Sequence, residues 1–203
     1  MLKLTKYNQM KFLFMRLITM ILFLIFCLQF SARGDDIKDF EIEGLSVGDS
    51  LLDYFSESEI KNGVKKNYYK SKKFLRVELW DYKPDTYDVL SFHIKNNDIK
   101  YLIYEISGNI LYDEKISDCY LKQKDIINEL SLLFKDSKHH DSGRQTYTAV
   151  DNESTYDRYD LIVGDASVDI TCYNWSNSSG YRDHLSIGIN TKEFRYWLNN
   201  EAN

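Results

Sequence analysis

Between Phe74 and Tyr112 the apolar residues leave a helical spacing and settle into strict alternation, and this change constrains the fold more than any other feature of the chain. Leu75, Val77 and Leu79 alternate with Arg76, Glu78 and Trp80, and Leu90, Phe92 and Ile94 repeat the pattern, as do Leu102, Tyr104 and Ile106. Successive side chains of a strand point to opposite faces, so a period of two is strand behaviour. Lys83-Pro84-Asp85 and Asn96-Asn97-Asp98 separate these runs with turn residues, which makes the segment an antiparallel meander. Gly108-Asn109 marks either a bulge or one more tight turn before Ile110 and Tyr112.

The flanking segments are helical by the same reasoning. Ser46 precedes Asp49 by three residues and Ser56 precedes Glu59 likewise, the spacing at which side chain and backbone cap each other at a helix start. Two short helices are expected between Ser46 and Lys66, the first burying Val47, Leu51, Leu52 and Phe55, the second using Ile60 and Val64. A longer helix is expected from about Ser117 to Lys135, with Ile126, Ile127, Leu130, Leu133 and Phe134 on one stripe. Four more strands are expected near 146–150, 159–163, 168–175 and 185–189, with Gly164-Asp165 turning between the second and third. Thr191 then caps a terminal helix whose Phe194, Trp197 and Leu198 face inward.

This order predicts an α+β fold: antiparallel sheet, in one piece or two, with an N-terminal helix pair, one longer central helix and a C-terminal helix. The helix-helix-then-meander order of the first half loosely resembles the beta-lactamase-inhibitor-like and small outer-membrane-assembly lipoprotein folds. That analogy of element order carries no function. A weak duplication would divide the domain into halves, 35–113 and 114–203.

Ahead of this domain, Lys3, Lys6, Lys11 and Arg16 precede an apolar run from Leu17 to Ile25 that continues to Phe30, and Ala32-Arg33-Gly34 supplies small, spaced residues. The pattern is that of a signal peptide over residues 1–34, cleaved before Asp35. A retained anchor is the competing reading, but Arg16 truncates the apolar run well short of the roughly 20 residues that span a bilayer. No stable membrane anchor is expected after cleavage, and the protein is expected in the periplasm or secreted. The leader holds five of the 26 basic residues and none of the 31 acidic ones, so the mature chain carries a net charge of about −10. Phosphate backbones would repel such a chain, which argues against nucleic acid as a partner. Lys61 to Lys73, the densest basic stretch, reads as a solvated helix end and turn although Tyr68 and Tyr69 lie within it.

Cleavage removes Cys27 and leaves two thiols, Cys119 and Cys172. An even pair in an oxidising compartment suggests a disulfide. Cys119 shares the buried stripe of the long helix, and Cys172 alternates with Val168 and Ile170, so both are expected to face one core.

No convergent catalytic set stands out. His139-His140-Asp141 is read as a solvated polar loop, and neither a metal site nor a catalytic residue is assigned to it. Asp151, Glu153, Asp157 and Asp160 form an acidic stretch read as a charged hairpin loop, with calcium as a minor alternative because Tyr156 stands where an EF-hand needs glycine. Phosphate cradles and dinucleotide fingerprints are absent, so no cofactor is assigned. Trp80, Tyr82 and Tyr87 cluster near a predicted hairpin end, where a stacking surface for sugars or a partner protein could form, although sheet packing also explains them.

The segment from Asp39 to Phe55, Cys172-Tyr173-Asn174-Trp175-Ser176 and Thr191-Lys192-Glu193-Phe194 resemble a family of small exported proteins of unknown function from marine bacteria. The resemblance implies a bacterial envelope setting and no particular activity. The reading is therefore an exported, non-catalytic binding domain whose partner is an unknown protein or small ligand. Its alternatives are a periplasmic hydrolase or transferase using the His139/His140 region, or a membrane-tethered structural factor.

Overall fold

The computed structural model describes residues 37, 40–80, 82–112 and 115–202. The expected leader, its cleavage site and Cys27 lie outside these residues. Among those described, a turn of 3-10 helix at Leu51–Asp53 is followed by α1 (Glu57–Gly63), β1 (Val64–Lys65), β2 (Phe74–Leu79), β3 (Val89–Lys95) and β4 (Ile103–Leu111). The second half runs α2 (Ile116–Leu133), β5 (Lys138–Thr146), β6 (Thr155–Val163), β7 (Ala166–Asn174), β8 (His184–Asn190) and α3 (Lys192–Asn200). The fold is α+β with one eight-stranded antiparallel sheet, ordered β1-β2-β3-β4-β8-β7-β6-β5. Each half contributes a meander, and the two meet where β4 pairs with β8.

One face of the sheet carries the main core: Val77 and Leu79, Leu90, Phe92 and Ile94, Ile106, Leu161, Val168 and Ile170, and Leu185, Ile187 and Ile189. α2 packs on this face across β7 and β8. Its docking depends on more than the apolar stripe. Cys119 bonds to Cys172 of β7 with Cα atoms 6.0 Å apart, and both residues are fully buried. Four residues on, the buried Gln123 donates from Nε2 to the Asp157 carbonyl at 2.8 Å and the Ile170 carbonyl at 2.9 Å, tying the helix to β6 and β7. Leu133, expected on the buried stripe, is exposed, as are Leu121 and Leu132. A helix joined by a disulfide and a glutamine needs a narrower apolar seam.

Several local expectations change. Of the two helices expected after Ser46, the second forms, with Ser56 and Glu59 making a complete capping box, while the first shrinks to the 3-10 turn at Leu51–Asp53 capped by Ser50, and Ser46 N–H donates to Asp49 Oδ2 at 2.9 Å in a turn ahead of it. Gly108-Asn109 is neither bulge nor turn, because both lie inside β4. Gly108 is required by Tyr87, whose ring carbons would stand 2.5 Å from any Cβ there. The bulge falls earlier, between His93 and Ile94 of β3 opposite β4. Tyr104 is the extra residue, so Ile103 and Ile106 both reach the core and Glu105 turns to the opposite face.

His139-His140-Asp141 is not a loop but part of β5, an edge strand that pairs only with β6. Exposure on both sides removes the apolar alternation by which strands are recognised. Its charges and its bulge at Ser142, with Gly143 at φ +58°, make this long edge a poor template for pairing with another chain. The acidic stretch is divided: Asp151 and Glu153 lie in the loop between β5 and β6 as expected, whereas Asp157 and Asp160 lie on opposite faces of β6.

Candidate functional site

The face of the sheet opposite the core is polar, yet much of it is buried. Ser91, His93, Glu105, Ser107, Asn109, Ser167, Thr171 and Asn190 stand on it and all are buried. Part of the cover comes from α3. Thr191 caps this helix by accepting from the Phe194 N–H at 3.3 Å, and Phe194 and Trp197 pack with Phe74 and Tyr69 in a second apolar cluster. The expected inward face of the terminal helix is thus correct, but it rests on the polar side of the sheet, away from the main core.

The rest of this face is an open trough. One cavity of about 650 Å³ is bounded by Phe194, Arg195 and Leu198 of α3 and floored by His93, Glu105, Ser107, Arg158, Asp160 and Asp169. A second, of about 350 Å³, is ringed by Trp80, Tyr147, Tyr173, Trp175, Tyr181 and His184 over Arg76 and Glu78. Both are lined by Tyr68, Arg76, Tyr147, Tyr173 and Ser186, which makes them neighbouring parts of one depression. Volumes of this size are typical of small-molecule sites.

Arg76 and Arg158 on the floor are both paired. Arg76 donates from Nε to Glu78 Oε1 at 2.8 Å and from Nη2 to Ser91 Oγ at 3.3 Å, and its guanidinium lies 4.9 Å from the centre of the Tyr68 ring. Burial alone would raise the Glu78 carboxyl. The Arg76 charge and hydrogen bonds from Trp80, Lys65 and Arg76 outweigh it and hold the pKa at about 2. Arg158 grips Asp160 Oδ1 at 2.8 Å and lies 4.0 Å from Asp169 Oδ1. Asp169 also accepts from Asn190 Nδ2, and it leans over Gly188, where a Cβ would meet its oxygen at 2.9 Å. Burial raises the Asp169 pKa to about 6, with Glu105 and Asp160 pushing the same way and Arg158 opposing.

His93 sits between Tyr69 and Glu105, with Nδ1 2.5 Å from Glu105 Oε2 and Nε2 3.0 Å from the Tyr69 hydroxyl. Burial lowers its pKa against the opposing pull of Glu105. The neutral ring then donates from Nδ1 to the carboxylate and accepts the tyrosine O–H at Nε2. Burial raises the Tyr69, Tyr147 and Tyr173 phenols, which therefore remain protonated donors. Against this background, Ser167 Oγ, Thr171 Oγ1 and Arg195 Nη1 are buried without a hydrogen-bond partner among the described residues, and Ser167 and Arg195 line the trough.

The residues singled out by sequence are scattered by the fold. His139 and His140 are adjacent on β5 and face opposite sides. His139 bonds Tyr159 Oη at 2.7 Å and Ser137 Oγ at 3.0 Å on the helix side, whereas His140 lines the trough. Asp151 is occupied by its own loop and the loop after β7, accepting from Ser154 N–H at 2.5 Å and from the Ser154 and Ser176 hydroxyls at 2.8 Å. No group of three or more His, Cys, Asp or Glu suited to a metal ion occurs among the described residues. Of the three aromatics expected together, Trp80 alone reaches the trough. Tyr82 packs edge-on to Phe55 with ring centroids 5.2 Å apart, and Tyr87 covers Gly108.

Sequence reasoning missed Tyr68, Tyr69, Arg76, Glu105, Arg158 and Asp169. The available signal was the second half of each alternation: Arg76 and Glu78 between core residues, Asp169 between Val168 and Ile170. Polar residues at the outward positions of a strand read as solvated until something is seen to cover them. Comparison with protein-family models, with curated proteins and with solved structures yields no match, so the site has to be read from its own chemistry.

Proposed function

We propose that this protein is an exported, non-catalytic binding domain whose ligand, a small molecule or a segment of a partner protein, seats in the trough on the polar face of the sheet. The observation that carries the reading is the floor itself. A buried polar network bounded by rings, with orphaned Ser167 Oγ and Arg195 Nη1 beside it, is costly to maintain unless something completes it. Pairing of the floor charges supports binding over turnover, because His93 is held by Tyr69 and Glu105, with both ring nitrogens engaged. Export through a cleaved leader, a periplasmic or extracellular location and membership of the marine exported family complete the proposal, with the disulfide Cys119–Cys172 as its support. The acidic mature chain keeps nucleic acid an unsuitable partner.

The experiment uses the mature chain, residues 35–203, against soluble oligosaccharides and a defined peptide mixture. Calorimetry measures binding, and mass spectrometry reads the recovered ligand. Ser186, half-buried and shared by both cavities, is replaced by tryptophan to fill the trough. Saturable binding that Ser186→Trp abolishes without loss of fold, with ligand returned unchanged, is the expected result. Ligand returned cleaved by wild type but intact from His139→Ala/His140→Ala would establish the enzyme reading in its place.

A further inference from the structure

The geometry points to a carbohydrate subsite at the aromatic end of the trough, where a neutral sugar residue stacks on Trp80 and hydrogen-bonds the Arg76–Glu78 pair. This names the ligand class for the seat proposed above and rests on that reading. Trp80 is 56% exposed although it is fixed in orientation, because its Nε1–H donates to Glu78 Oε2 at 2.9 Å. Large aromatic surface left in water beside a polar pair is a ready platform: the ring takes the C–H face of a sugar while carboxylate and guanidinium take its hydroxyls. Fixing the indole beforehand reduces the ordering cost on binding. Tyr181, 60% exposed, also lines this cavity and provides a second ring.

The other rings are occupied with one another. Tyr173 and Trp175 stack at 5.5 Å with planes 5° apart, and Tyr173 stacks on His184 at 4.7 Å. They form a rigid wall; Tyr181 leans on Trp175 at 4.7 Å yet keeps most of its surface open, so Trp80 and the outer side of Tyr181 are left to meet the ligand.

Charge selects the class. Arg76 and Lys65 are both paired to Glu78, at 2.8 and 3.0 Å, burial lowers the His184 pKa and keeps the ring neutral, and Arg182 at the rim is itself engaged, so no charge among the described residues at this end stands ready for a charged ligand. A charged ligand would gain one member of the Arg76–Glu78 pair by breaking it from the other. A neutral polyol can donate to the carboxylate and accept from the guanidinium while the pair stays intact. An extended peptide is less suited, because a sheet face offers no unpaired backbone ladder to its amides.

The test titrates the mature protein with neutral hexasaccharides built from glucose, galactose, mannose or N-acetylglucosamine, with oligogalacturonate as the charged counterpart and a defined peptide mixture. Tryptophan fluorescence and calorimetry read binding. At least one neutral hexasaccharide is expected to bind, with affinity reduced at least tenfold in Trp80→Ala, partly restored in Trp80→Phe, and reduced in Tyr181→Ala. Binding only of oligogalacturonate or of peptides, lost in Ser186→Trp but unchanged in Trp80→Ala, would overturn the sugar subsite and leave the trough as a seat. Binding unaffected by Ser186→Trp would overturn both, and binding of no neutral hexasaccharide would overturn the subsite.

Discussion

Asp169 shows how one residue can be ordinary in sequence and unusual in place. On β7 it alternates with core residues, as any outward-facing aspartate would. In the fold it lies little exposed on the floor of the trough beside Glu105 and Asp160, and burial raises its pKa from 3.8 to about 6. The folded protein therefore binds this proton more tightly than the unfolded chain does. That contribution to stability is complete below pH 3.8 and is lost as pH rises to about 6, a loss on the order of 3 kcal/mol. Asp169→Asn keeps an oxygen for Asn190 Nδ2 and has no charge to bury. Urea denaturation across pH 4 to pH 7 should show the variant gaining on wild type by about that amount as the pH rises. Parallel pH profiles would contradict the assignment.

Among the elements, α2 was the most legible and still incomplete. The apolar repeat found it within two residues at either end, and Cys119 was placed on its buried side. Gln123 was invisible, because a glutamine on a helix is ordinarily a surface residue. It becomes a tether only once β6 and β7 present two carbonyls beneath it. Gln123→Met preserves much of the volume and removes both bonds, so it should lower stability by about 1–3 kcal/mol by urea denaturation while leaving ligand affinity unchanged. An unchanged midpoint would mean that the two bonds contribute nothing net. β5 is the opposite case: a strand without apolar periodicity, formed because β6 offers it a ladder partner, and read beforehand as a loop for that reason.

For the whole molecule, the disulfide joins the central helix to the second meander across 53 residues of sequence. Closing such a loop restricts the unfolded chain by an amount worth about 4 kcal/mol in the chain-entropy model. Cys119→Ala/Cys172→Ala should lose stability of that order in guanidinium denaturation, and a loss below about 1 kcal/mol would show that the bond is dispensable. The sequence by itself determined the α+β class, the first meander, the Gly164-Asp165 turn, the cap at Thr191 and the cysteine pair, because each rests on local periodicity, turn chemistry or parity. Tertiary structure alone decided that the two meanders join through β4 and β8, that α3 crosses to the polar face, and that Arg76, Glu105, Arg158 and Asp169 share one floor. The reason is physical: alternation tells which residues face away from the core, but only the packing of distant segments determines whether those residues meet water or a wall.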